Sequence, residues 1–165
     1  MSSNKARHRA RTFALLGVYQ GLLTGHSAHA IEMQFRDPTQ VFGFDEGDPS
    51  IDARDFARAD PELFASLLRG PLGNQPELDA TLAPLLSRSV AELSPVEHAI
   101  LLIAAQELLH HPETPYRVVI NEAIELAKRF GGTDGHRFVN GVLDRLAAQV
   151  RETEIAARDS ERTTE

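Results

Sequence analysis

The sequence predicts an all-α protein. No stretch alternates apolar and polar residues as a half-buried strand would, apolar positions recur at intervals of three and four, and capping residues bracket those segments. The first predicted helix covers about 6–24, where Leu15, Leu16, Tyr19, Leu22 and Leu23 share helical spacing and Gly25 supplies a stop. Residues 33–60 break the pattern. Pro38, Gly43, Gly47 and Pro49 punctuate them, and residues 32–62 hold nine acidic against three basic side chains, so this stretch reads as a long acidic loop, mobile over 33–58.

The next helix is announced by "DPELFASLLRG", with Asp60 as N-cap, Pro61 at the first helical position and Gly70 just past the end. Another begins near Pro76 and cannot continue smoothly through Pro84. "SPVEHAILLIAAQELL" opens with Ser94 and Glu97 spaced as a capping box, and its apolar residues from Ala99 to Ala105 cover every side, which predicts a central, buried helix. After Pro112 and Pro115, "YRVVINEAIELAKRFGG" places Val119, Ala123, Ala127 and Phe130 on one face, ends in Lys128 and Arg129, and stops at Gly131. Thr133 or Asp134 can cap the last helix, whose stripe is Val139, Val142, Leu143, Leu146 and Val150. One domain over 1–151 followed by a flexible polar tail over 152–165 accounts for the whole chain.

Charge is distributed unevenly. The 165 residues carry a formal net charge of −7, yet residues 1–31 hold four Lys/Arg and no acid, leaving 13 basic and 24 acidic residues for 32–165. A basic head on an acidic body suits binding of a polyanion at one place. Fifteen of the 17 basic residues are arginine, whose planar fork fits phosphate and stacks on bases. On a regular helix Arg7 and Arg11 share a face while Arg9 points about 160–200° away, so the three cannot all reach one flat surface. The start must be unwound, or the ligand must wrap the helix end. The same head, followed by "FALLGVYQGLL" and "SAHA", imitates a cleavable secretory leader. Gly17 and Tyr19-Gln20-Gly21 interrupt its apolar part, so a protein that keeps its first thirty residues in the cytoplasm is expected. No stretch reaches the roughly 18 uninterrupted apolar residues of a membrane span, and no membrane contact is expected.

Enzyme signatures are absent from the sequence. There is no cysteine, no G-x-S-x-G and no phosphate-cradling glycine loop. His26 and His29 lack a nearby third ligand, His110 and His111 suit a helix C-terminus, and Asp45 and Glu46 lie where nothing would shift a carboxyl pKa. A binding module without cofactor or metal is the expectation.

Three blocks point further. "PYRVVINEAIELAKRFGGTDGHRFVNGVLDRLA" (115–147) closely resembles the signature of the NusB family of bacterial transcription antitermination factors; "RHRART" with "ALLGVYQ" resembles its first helix, and "LSPVEHAILLIAAQEL" its central one. The resemblance implies about seven helices in two small packed bundles. It implies binding of the single-stranded boxA element of ribosomal RNA leader transcripts together with NusE, a small-subunit ribosomal protein. It also implies action on the RNA polymerase elongation complex through other Nus factors. Matched to that pattern, the RNA-binding cluster falls on Arg7, Arg9 and Arg11, with His8 standing where another arginine is frequent. Asp134, Phe138 and Arg88 join the RNA surface, and Tyr19 and Glu97 fall on the protein-partner surface. Leu85, near Arg88, replaces a frequent aromatic and removes a stacking platform. A NusB-like domain also begins bacterial ribosomal RNA cytosine methyltransferases, which makes an RNA-recognition domain of that kind the alternative.

Overall fold

A computed structural model describes residues 3–40, 51–132 and 134–163. Among them nine α-helices and two short 3-10 turns account for the regular structure: α1 (Asn4–Thr24), α2 (Ala28–Phe35), α3 (Ala53–Ala57), α4 (Pro61–Gly73), α5 (Gln75–Leu82), α6 (Pro95–His110), α7 (Tyr116–Phe130), α8 (Gly135–Val150) and α9 (Glu152–Thr163). The all-α expectation holds, with more helices than the seven the resemblance implies.

α6 is the axle, as its all-round apolar sequence requires. Ala99 to Ala105 are each at most 3% exposed. α1 and α4 pack on one side of it, and α7 and α8 on the other, giving two small bundles that share one helix. α1 is regular from its first residue. Ser3 accepts a hydrogen bond from the Ala6 amide (3.1 Å), and Gly25, in the left-handed region at φ 75°, closes the far end through its N–H to the Gly21 carbonyl (2.9 Å). The stretch that imitates a secretory leader is therefore a core helix, burying Phe13, Ala14, Leu15 and Val18. Gly17 and Gly21, which interrupt its apolar run, let α4 come close: a Cβ at either would lie 2.6 Å from Leu68 or Leu72.

The structure corrects several readings of the sequence. The acidic stretch is not a plain loop, because α2 and α3 lie at its margins and bring Phe35 and Phe56 into an aromatic cluster. Phe56 meets Phe13 and Phe64 edge-on at 5.2 and 5.0 Å between centroids. Such short helices show no periodicity to read; residues 41–50, and with them part of the predicted mobile segment, lie outside the described residues. α4 runs past Gly70 through Pro71 to Gly73. Gly70 is there for contact rather than termination, since a Cβ would strike the Gln106 side chain of α6 at 2.2 Å.

The polar C-terminal segment also forms a helix. Arg151, 7% exposed, donates to the carbonyls of Leu108, His111 and Thr114 (each 2.9 Å) and to Glu154 (2.6 Å). Glu154 in turn accepts from the Tyr116 amide (3.0 Å) at the start of α7. The start of α9 is thus held by polar anchoring to backbone groups at the end of α6 and the start of α7, which leaves no apolar stripe in the sequence. No helix among the described residues is long and apolar enough to cross a membrane.

Candidate nucleic-acid interface

Because α1 is helical from Asn4, its basic side chains fan around the axis as the spacing dictates, and the body sorts them. Arg11 points inward. It is 4% exposed and makes a two-pronged ion pair with Glu107 of α6, Nε to Oε1 at 2.9 Å and Nη2 to Oε2 at 2.7 Å. Its expected place in a surface cluster is corrected: the sequence shows the charge, but only the fold shows that Glu107, inside an apolar helix, needs that guanidinium. Arg7, on the same face, is half-buried and donates to the Thr114 hydroxyl (2.8 Å) in the turn after α6. His8 binds Glu122 of α7 through Nδ1 (2.7 Å). That hydrogen bond raises the His8 pKa above its ordinary 6.5 against the opposing effect of burial. Burial pushes Glu122 up, but the His8 hydrogen bond and the His8 and Arg11 charges outweigh it and leave its pKa lowered.

Arg9 faces the other way. Its nearest carboxylate is Asp55 of α3, at 4.0 Å from Nε, and 29% of its side chain is open to solvent. With Asn4, Lys5 and His8 it lines a shallow depression of about 260 Å³. The start of α1 therefore needs no unwinding. Arg7, His8 and Arg11 fasten it to the body, while Lys5 and Arg9 remain directed outward.

A second cluster forms where α6 and α8 begin. Arg88, in the connection before α6, lies over the Phe138 ring with its guanidinium carbon 4.1 Å from the centroid. Its Nη1 is 3.9 Å from Oε2 of Glu97. Asp134 occupies the N-cap position of α8 without a side-chain capping bond and is exposed. Ser94 caps α6 through the Glu97 amide (3.2 Å), while the Glu97 carboxylate turns toward Arg88. Arg88 and Phe138, assigned to RNA, and Glu97, assigned to a protein partner, are thus one cluster. Tyr19 stands apart, half-buried against the core about 15 Å along α1 from Arg9. Glu97 and Glu107 are likewise about 15 Å apart along α6, which sets the separation of the two clusters. Glu107, Glu122, Thr114 and Asp55 are the partners that sequence reading missed. Only Glu107 carries a signal for it, as a charged residue inside an apolar run.

Fold and site define an all-helical bundle protein that displays arginine at a helix start and on an aromatic ring. The family model "NusB family" matches residues 8–148. The "Transcription antitermination protein NusB" of Aromatoleum aromaticum is 58% identical over 157 residues, covering 95% of this chain and 98% of that protein. The protein of the same name from Bordetella pertussis is 50% identical over 160 residues, with 94% of each chain covered. Among solved structures, T. maritima NusB superposes with a TM-score of 0.66 at 28% identity, over 89% of this chain and 92% of that one. The chain belongs to the NusB family.

Proposed function

We propose that this chain is a transcription antitermination factor that binds single-stranded boxA RNA of ribosomal RNA leader transcripts together with NusE and acts on elongating RNA polymerase. It works in the cytoplasm as a binding factor rather than an enzyme. The observation that carries the reading is the sorting at the start of α1. The body neutralises Arg11 and anchors Arg7 and His8, yet leaves Lys5 and Arg9 outward around a depression on an otherwise acidic chain. Positive charge in the first turn of a helix, here Lys5 and Arg7, opposes the helix dipole, so its presence favours a ligand that offsets the cost. A single strand suits the arrangement, because scattered cations on one helix end cannot follow a duplex groove continuously. The chain's near-complete coverage of antitermination relatives supports this reading over a methyltransferase-type recognition domain.

The test is a pair of titrations on wild type and Arg9→Ala, one with labelled boxA RNA and one with purified NusE. Arg9→Ala removes a half-buried fork donor whose nearest carboxylate among the described residues is 4.0 Å away, so RNA binding by the protein alone weakens by about 0.5–2 kcal/mol while NusE affinity is unchanged and stability falls by no more than about 1 kcal/mol. Equal loss of both affinities in a folded protein defeats the two-surface reading.

A further inference from the structure

We infer that Glu97 is a positioning residue of the RNA surface. It holds the Arg88 guanidinium over the Phe138 ring, so that the outer side of Arg88 offers a stacking platform for one unpaired base. This rests on the RNA-binding reading above and goes beyond it by naming the element that takes a base rather than a phosphate.

Three observations converge. Oε2 of Glu97 is buried and has no hydrogen-bond partner, a state that needs an explanation in a native fold. The first turn of α6 welcomes an acidic residue, which accounts for a carboxylate at this position but not for its direction. The group it faces is Arg88 Nη1 at 3.9 Å, too far for a hydrogen bond and close enough for attraction between opposite charges. Arg88 in turn rests on Phe138 at 4.1 Å with 40% of its side chain exposed. The ring therefore backs the guanidinium on one side. The start of α8, which carries Phe138, also abuts Glu97: a Cβ on Gly135 would stand 3.8 Å from Oε1.

A planar cation with one face on an aromatic ring is a surface on which an unpaired base stacks, and stacking is tolerant of base identity. Leu85, 8% exposed, offers no face to a base, so the Arg88–Phe138 pair is the stacking surface of this cluster.

The experiment measures binding of single-stranded boxA RNA, with 2-aminopurine substituted in turn at each purine, to wild type, Glu97→Gln, Arg88→Lys and Arg9→Ala. The intact protein should quench the fluorescence of at least one substituted position. Arg88→Lys keeps the charge and loses the plane; it should abolish that quenching and weaken binding by about fivefold or more, the loss of one stacked base. Glu97→Gln leaves the Ser94 cap intact, because that bond is made by its backbone amide. It should reduce the quenching and weaken binding by a smaller factor.

The sign of the Glu97→Gln effect is decisive. A carboxylate that merely neighbours RNA repels it, so its removal would tighten binding; a residue used only by a protein partner would leave RNA binding unchanged. Either result overturns the inference. Absent quenching in wild type, with Arg9→Ala still weakening binding, removes the platform and spares the RNA-binding reading. Failure of the wild-type protein to bind RNA removes both.

Discussion

The start of α1 and the connection before α6 each set an arginine beside a glutamate from α6, and the two pairs have opposite character. Arg11 is sunk against Glu107, both oxygens engaged at 2.7 and 2.9 Å, with the two side chains 5% and 2% exposed. Arg88 keeps 40% exposure, stays 3.9 Å from Glu97 and leans on a ring. The first pair uses charge to join two helices. The second leaves charge available to a ligand. A count of basic residues in the sequence does not distinguish them; the depth at which the partner carboxylate sits does.

The largest effect should come from breaking the deep pair. Arg11→Ala strands Glu107 in the core, and such a loss costs about 3–5 kcal/mol. Urea denaturation measures it; a change within about 0.5 kcal/mol, as for an ordinary surface substitution, would erase the contrast between the two pairs.

Salt dependence comes next. The sequence alone suggests three or four arginine–phosphate contacts and a slope of log affinity on log salt of roughly −2 to −3. With Arg11 withdrawn, two or three contacts remain, for a slope of about −1.4 to −2.1 on a single strand. A steeper slope, measured by titration at several salt concentrations, would mean that the head rearranges on binding and frees its inner cations.

Arg7 is the intermediate case. Its single bond to Thr114 is half-buried, so Arg7→Ala should cost about 0.5–1.5 kcal/mol of stability, an ordinary net hydrogen bond. Denaturation of Arg7→Ala beside Thr114→Val tests whether that bond is the reason, since the two losses should then not add.

The smallest effect is the pH response of His8 and Glu122. His8, raised above 6.5, contributes stability that is full below 6.5 and fades as pH climbs through its raised value; Glu122, lowered, contributes above 4.5 and fades as pH falls through its lowered value. The pair is therefore strongest between 4.5 and 6.5. As a partly exposed ion pair it is worth about 0–1 kcal/mol. Comparing wild type with His8→Ala across pH 4 to 9, on the order of one unit per step, should show a difference that is largest between 4.5 and 6.5 and fades as pH climbs through the raised His8 value. A difference that grows toward alkaline pH would contradict the pairing.

How much was legible follows from the range of the signals. The Asp60-Pro61 start, the Gly25 stop and the buried face of α6 all depend on residues within one or two turns of each other, and all stand in the structure. α9 and the Phe13, Phe35, Phe56 and Phe64 cluster depend on contacts across dozens of residues, and neither is visible as a periodicity. Gly70 reads as a stop in isolation and becomes a contact point only once Gln106 lies over it.

By itself the sequence determined the all-helical class, the central place of α6, the basic head on an acidic chain and the family. These are local periodicity, capping chemistry, composition and a dense motif, each readable without knowing what packs on what. Tertiary structure alone decided which cations are free. Arg11 lies four residues from Arg7 and two from Arg9, but Glu107 is 96 residues away, Glu122 is 114 from His8, and Glu97 meets Arg88 across a helix start. An ionised side chain takes its role from the carboxylate the fold brings to it and from the water that carboxylate excludes, and neither is a property of its neighbours in the chain.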